Sequence, residues 1–320
     1  MAPPVAGVQT DFIDRLEHAS RVAVIRLRSL GDCVLSTPAI QLLKRARPDL
    51  RIAVVVEDRF AAVYENNPDI AMSLPPGASA LRSFAPALCI NFHGGTRSAR
   101  LTLLSGARFR AGFDIFRPGW VYNTPVPTAQ RTLGISRRVH TAEHMASAMF
   151  YLGVPVADVP RARIEPLPGR SRYAPDAPYA VIHPFAATPD KTWPSDSFLL
   201  LAHHLEKSHR LTPVFIGGPD DDLSPFARYG AVSAAPLAEL SRLMRDAAFF
   251  AGNDSGPAHV AAAFGVPQVV FFGPSDAETW APWRTSAEVL TSNAATGNIG
   301  DIGVERAIQS AERLLAGVGA

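Results

Sequence analysis

Cysteine is almost missing from this sequence: 320 residues contain two, Cys33 and Cys89, both in apolar stretches. That scarcity argues against a disulfide framework and suits a reducing compartment. An excess of either charge is missing too. Thirty-one Lys and Arg stand against 29 Asp and Glu, a net charge of +2, which gives no electrostatic case for a nucleic-acid partner. No run nears the ~20 apolar residues that cross a bilayer. The first residues lack the basic start and apolar core of an export signal, and Asp11, Asp14 and Glu17 follow. A cytoplasmic protein is therefore expected.

What is present is the composition of a folded chain, 47% hydrophobic and 19% charged. Its length favours two domains over one. Apolar runs of strand length, 22-VAVIRL-27, 52-IAVVVE-57 and 87-ALCINF-92, alternate with helical patterns at 39–46, 98–106 and 141–153. Thr37 and Pro38 read as cap and first position of the first of these helices, and Thr141 as cap of the last. Residues 11–20 have the pattern of a short amphipathic helix in an N-terminal extension. Between 155 and 178 six prolines fall in 24 positions without periodicity, which marks a linker. The alternation then restarts, with strands at 179–185, 213–218, 248–252 and 267–272, and helices at 196–208, 237–247, 257–264 and 303–317.

Short buried strands alternating with helices predict an α/β fold with parallel sheets covered on both faces. We expect two doubly wound, Rossmann-like domains facing a cleft. They occupy 1–160 and 179–302, joined by a linker at 161–178, and the last helix, in 303–320, packs back on the first domain.

The most informative stretch is 250-FAGNDSGPAHVAAAFGVPQVVFFGPSD-276. A strand runs into Asn253, Asp254, Ser255 and Gly256, and Pro257 sets the first helical φ. In a doubly wound sheet this junction lies at the carboxyl edge of the strands, where ligands bind. The helix start offers unpaired N–H groups and the positive end of the dipole, so a phosphate fits there. Gly256 admits close approach, and His259 leans back over the same pocket. The string also reads as an ordinary helix entry, capped by Asp254 or Ser255, with His259 a satisfied semi-buried side chain.

Two further segments share that setting. In 26-RLRSLGDCVLSTPAI-40 a strand again precedes a helix. The stretch lacks G-x-G-x-x-G, so a dinucleotide fingerprint is absent, but it carries Asp32. That acid is either a carboxylate at the cleft edge or a turn-forming cap. The loop 184-PFAATPDKTWP-194 offers Lys191 as a phosphate cation, with Trp193 read as packing.

Three other patterns point to different chemistry. The run 140-HTAEH-144 fits H-x-x-E-H, a zinc-peptidase spacing, but no further acid is placed as a third ligand and no metal is expected there. Asp220 and Asp222 form D-x-D, read as a helix start where acids suit the dipole; Asp220 alternatively meets a ribose. His203 and His204 read as a surface pair.

The segments 24–57, 183-HPFAATPDKTWP-194 and 237–276, with the string D-S-G-P-A-H-V-A-A-A-F-G-V-P at 254–267, resemble glycosyltransferase family 9, the ADP-heptose:lipopolysaccharide heptosyltransferases. A weaker likeness lies at 92–113. The resemblance implies a GT-B architecture, an N-terminal domain for the acceptor and a C-terminal one for the nucleotide sugar. It implies inverting transfer without metal or cofactor. Asp32 would be the general base and Lys191 the diphosphate-binding lysine, with Asp254, Ser255, Gly256 and His259 around the donor; Thr188 and Asp220 are added as donor contacts from their own positions. Arg97 and Arg100, one helical turn apart, read either as contacts to an acidic acceptor or as surface arginines. The implied partners are ADP-heptose and a lipopolysaccharide inner core, reached from the inner face of the cytoplasmic membrane.

Transfer through an oxocarbenium-like sugar builds charge on the departing diphosphate. Lys191 and a helix N-terminus stabilise it most in the transition state. A carboxylate is a weak base, useful because the acceptor hydroxyl acidifies during attack. The sequence departs from the family at Phe185, Ala186 and Ala187, where Gly and then Ser or Thr are usual; Thr188 stands one position on as a substitute. That departure leaves room for a different donor, or for a sugar-nucleotide binder without turnover.

Overall fold

The computed structural model describes residues 10–292 and 296–317. It divides into two compact units, Met1–Glu165 and Pro166–Ala320. Among the described residues each unit holds one six-stranded sheet. In the first the strands are β1 (Arg21–Ile25), β2 (Arg51–Val55), β3 (Met72–Leu74), β4 (Leu88–Asn91), β5 (Phe109–Phe113) and β6 (Thr124–Val126), flanked by α1 (Leu30–Ala46), α2 (Ala78–Phe84), α3 (Gly95–Leu104), α4 (Ala129–Leu133) and α5 (Thr141–Tyr151). In the second they are β7 (Tyr179–His183), β8 (Thr212–Gly217), β9 (Gly230–Ser233), β10 (Phe249–Asn253), β11 (Gln268–Phe272) and β12 (Ala287–Thr291). The helices there are α6 (Ser195–His209), α7 (Leu237–Arg245), α8 (Gly256–Phe264), α9 (Ala277–Trp280) and α10 (Val304–Ala316).

All pairings are parallel, in the orders β3-β2-β1-β4-β5-β6 and β12-β11-β10-β7-β8-β9. Counted from each unit's first strand, both are 3-2-1-4-5-6, the doubly wound order. The winding reverses between β1 and β4 in one sheet and between β7 and β10 in the other. Crevices open at such points, outside the carboxyl ends of the strands.

The central strands are apolar because both faces are covered. Val22, Ala23, Val24 and Ile25 of β1 are buried, as are all five residues of β10 and β11. In the second unit the core joins Ile182, Trp193, Phe198, Phe215, Phe249 and Phe271, and α10 adds Ala307 and Ala311. The buried face of the last helix is thus spent inside its own unit. Cys33 and Cys89 are buried free thiols, pushed up to about 12 by burial.

Several boundaries differ from the sequence expectation. The first helix starts at Leu30, capped by Ser29, so Thr37 and Pro38 lie in its interior. Pro38 has no N–H for the carbonyl of Val34; the Thr37 hydroxyl donates to that carbonyl instead, at 2.8 Å. The expected helix at 11–20 is a single tight turn, Phe12–Arg15, docked by the Ile13 N–H on the Leu152 carbonyl at 2.9 Å. The cap of α5 is His140, not Thr141: its Nδ1 accepts from the Ala142 N–H. Asp220–Asp222 start no α-helix; a short turn at Ser224–Phe226 follows them.

Candidate functional site

In the second unit three loops meet at the switch point. β7 ends at His183 and leads into the lysine loop, β10 ends at Asn253 and leads into Asp254–Gly256, and β11 ends before Gly273. The loops are tied together by specific contacts. The Trp193 N–H donates to Asn253 Oδ1 at 3.0 Å, and the Trp193 indole donates to the Ile302 carbonyl at 2.8 Å. The same ring stacks on Phe271 with centroids 4.0 Å apart, so Trp193 is packing, as its sequence setting suggested. Gly273 passes so close that a Cβ there would sit 2.4 Å from the Asp190 carbonyl; only glycine allows that approach.

The tip of α8 lies in this convergence. Ser255 is its N-cap, Gly256 its first residue and Pro257 its second, and Gly265 closes it at φ +73°. The Ser255 hydroxyl does not cap the helix; it meets His183 Nδ1 at 3.1 Å. Asp254, Ser255, Gly256 and Pro257 remain partly exposed, so the N–H groups of the first turn are not sealed behind protein. Burial pushes the Asp254 carboxyl above its usual range, while Ser275 and the charge of Lys191 pull it back. The charge of Lys191 therefore reaches Asp254. Burial pushes His183 down to about 4, against the pull of Asp221, and the ring is neutral near pH 7.

Thr188 lines a cavity of about 400 Å³ with Ala186, Ala187 and Thr192. His259 is 4% exposed, on the buried side of α8. Asp220 is exposed, whereas Asp221 faces inward and accepts from the Gly218 N–H at 2.7 Å. Asp221 and His183 were missed by sequence reasoning. The signal for both was there: His183 opens the segment 183–194, and Asp221 is the middle acid of its triplet.

In the first unit Asp32 occupies the third position of α1, next to the β1–β4 switch point. One carboxylate oxygen accepts from the Ser29 hydroxyl at 2.9 Å. The other is ion-paired with Arg26, which is 8% exposed and also donates to the Phe92 carbonyl at 2.5 Å. Asp32 is thus a cap and also a carboxylate on a cavity. That cavity, of about 540 Å³, is lined by Arg26, Arg28, Ser29, Asp32, Arg59, Phe60 and His93. Its surplus of cations suits an anionic ligand. Burial, with the charge of Arg26, lowers the pKa of His93. Neither Arg97 nor Arg100 lines it. Arg97 is exposed and pairs with Glu57 at 2.7 Å, the carboxylate that also holds Arg59; Arg100 is exposed. Of the basic residues on the cavity, Arg28 and Arg59 were not singled out, and Arg26, which opens the string that carries Asp32, was given no role.

The H-x-x-E-H run is structural. Glu143 binds Arg137 at 2.6 Å and accepts from the His140 N–H, while His144 stacks on Phe113 with centroids 4.0 Å apart. His203 is exposed, but His204 is not its surface twin: it turns to Glu312 of α10.

The sequence model of glycosyltransferase family 9 (heptosyltransferase) matches residues 78–299, more than half of the chain, with β4–β6 of the first sheet and all of the second. Asp32 lies ahead of the matched span. The chain is 25% identical over 298 residues to lipopolysaccharide heptosyltransferase 3 of Escherichia coli strain K12, covering 80% of this chain and 83% of that one. The fold matches a glycosyl transferase family 9 structure from Veillonella parvula, with a TM-score of 0.80 and 23% identity, over 94% of this chain and 98% of that one. It also matches the E. coli ADP-heptose lps heptosyltransferase II, with a TM-score of 0.80 and 19% identity, over 94% and 100%. With two doubly wound sheets of one order, the GT-B architecture, this chain belongs to glycosyltransferase family 9 and is a glycosyltransferase.

Proposed function

We propose that this enzyme transfers a heptose, or a closely related sugar, from a nucleoside diphosphate donor to an acidic acceptor of the lipopolysaccharide inner core, with inversion. ADP-heptose is the donor favoured by the name of the solved E. coli relative. The observation that carries the reading is the convergence at one switch point of Lys191, Asp254 and the open first turn of α8. A diphosphate placed there meets a cation and unpaired N–H groups.

In the first unit, Asp32 takes the acceptor's proton. The acceptor oxygen bonds to the anomeric carbon as the bond to the diphosphate breaks. The electron pair leaves with the diphosphate, and the hydroxyl proton passes to the carboxylate. Ser29 and Arg26 hold that carboxylate still, and Arg28, Arg59 and His93 give the cavity its affinity for acidic groups. Thr188, Ser255 and Asp221 are assigned to donor contacts, Arg97 and Arg100 to outer acceptor contacts. Charge stabilisation by Lys191 and α8 removes the need for a catalytic metal, so transfer should persist in EDTA. No described helix is long and apolar enough to cross a membrane; the enzyme meets its acceptor as a peripheral protein.

A second reading concerns the donor. Phe185, Ala186 and Ala187 leave the lysine loop without a hydroxyl before Thr188, and the cavity there is lined by two alanines. A donor with a different base or sugar fits that departure. Thermal-shift titration with ADP-, GDP-, UDP- and dTDP-linked sugars decides between them, because a ligand stabilises the fold according to its affinity. The account expects the largest shift from ADP-heptose. A larger shift from another nucleotide sugar establishes the second reading, and no shift from any removes both.

A further inference from the structure

Away from both switch points, α6 and α10 carry a cluster that transfer does not use. His204 Nε2 lies 2.6 Å from Glu312 Oε1, and His209 Nε2 lies 3.0 Å from the same oxygen. The three atoms lie within 4.8 Å of one another. A carboxylate bridging two rings by hydrogen bonds explains His204. It does not explain His209, whose Nε2 is shielded from solvent and makes no hydrogen bond. Being 3.0 Å from the oxygen without bonding to it, that nitrogen is out of line for a proton. It lies close enough to the other two donor atoms to share a metal ion with them.

We propose that His204, His209 and Glu312 bind one divalent transition metal, zinc by donor type, which fastens the C-terminal helix to α6. Two imidazoles and a carboxylate are a donor set that suits zinc. Bonds of about 2.0–2.2 Å put tetrahedral ligands roughly 3.3 Å apart, so the two close pairs need open by less than about 1 Å. The second ring nitrogen of His204 lies 3.4 Å from the Ser208 hydroxyl. With a metal on Nε2 the ring proton would sit on Nδ1, where the Ser208 hydroxyl can accept it, as outer partners of metal-bound histidines do. Glu312 is 46% exposed, so water completes the fourth position. The site's work is structural: it holds α10, whose Ala307 and Ala311 pack in the core, to the end of α6.

The test uses the full chain without a histidine tag, stripped with EDTA and dialysed. Zinc titration with metal analysis should give one equivalent per chain and raise Tm by a few degrees or more. Cobalt(II) should give the visible absorption of a four-coordinate site, and Mg²⁺ should do nothing. His209→Gln is the cleanest variant, because its ring makes no hydrogen bond to lose: without metal it should melt with the stripped wild type, and it should lose the bound equivalent and the shift. Glu312→Gln should also lose the bound equivalent. If the wild type binds no zinc, or if His209→Gln binds it as well as the wild type, the proposal is overturned and the triad is a hydrogen-bonded contact only.

Discussion

The backbone N–H of Trp193 donates to the side chain of Asn253 at 3.0 Å, joining the lysine loop to the end of β10. Both residues are fully buried, so the bond sits where an unmet donor is costly. It holds Lys191 two residues from the tie on one side and Asp254 next to it on the other. Asn253→Ala leaves that N–H unpaired, and a loss of about 1–3 kcal/mol of stability is expected. The donor should also bind more weakly, because the two loops lose their common anchor. Denaturant unfolding and donor calorimetry on one preparation check both; unchanged affinity would separate the bond from the site.

Lys191→Ala should lower kcat more than it raises KM. In the proposed reaction the ammonium faces a charge that grows as the diphosphate departs, so its loss is felt most in the transition state. A fall in kcat of about 10²–10³ is expected, by analogy with removing one oxyanion donor. Steady-state kinetics with both substrates varied reads the split. A pure KM effect would mean that Lys191 only holds the ground state.

His183 carries a pH signature. Its folded pKa, pushed down to about 4, lies below its ordinary 6.5. The unfolded chain therefore takes up the proton first on acidification. The stabilisation from burying the neutral ring is complete above about pH 6.5 and is lost as pH falls towards 4. Because burial also lowers the pKa of His93 and His144, the informative quantity is a difference. His183→Gln should flatten the stability slope between pH 6.5 and 4 relative to the wild type, and equal slopes would place the shift elsewhere.

Much of this was legible in the sequence, for identifiable reasons. Strands buried on both faces, such as β1 and β10, are continuous apolar runs, and the string at 254–267 gave the tip of α8 to within one residue. The edges were not legible. β3 and β6 have three residues each, and β6 carries Pro125, tolerated because an edge strand need not donate on both sides. The start of α1 was hidden by Pro38, which reads as a beginning although Thr37 makes it harmless inside a helix. Asp32 and Arg26 lie in one string, but their pairing was not legible, because it depends on how the chain turns at Ser29. His204 looked like half of a surface pair because its partner, Glu312, is 108 positions away.

Arg26 is a positioning residue for that acid. Its guanidinium is buried between Asp32 and the Phe92 carbonyl. Arg26→Gln removes one partner of a buried pair, a class of change that costs about 3–5 kcal/mol. Activity should fall through kcat, with donor affinity intact. Arg26→Lys should restore stability better than turnover, since an ammonium lacks the fork that holds two acceptors. If both variants fold and retain full kcat, Arg26 serves stability alone.

The central claim is that Asp32 removes the acceptor proton while the donor is held by the other unit's switch point. Asp32→Asn tests it most directly, because the amide keeps the shape and can still accept from Ser29 but cannot take a proton. Transfer from ADP-heptose to a lipopolysaccharide inner-core acceptor should fall by about 10³ or more, with donor affinity by calorimetry within about twofold of the wild type. A variant that binds donor and transfers at the wild-type rate contradicts the account.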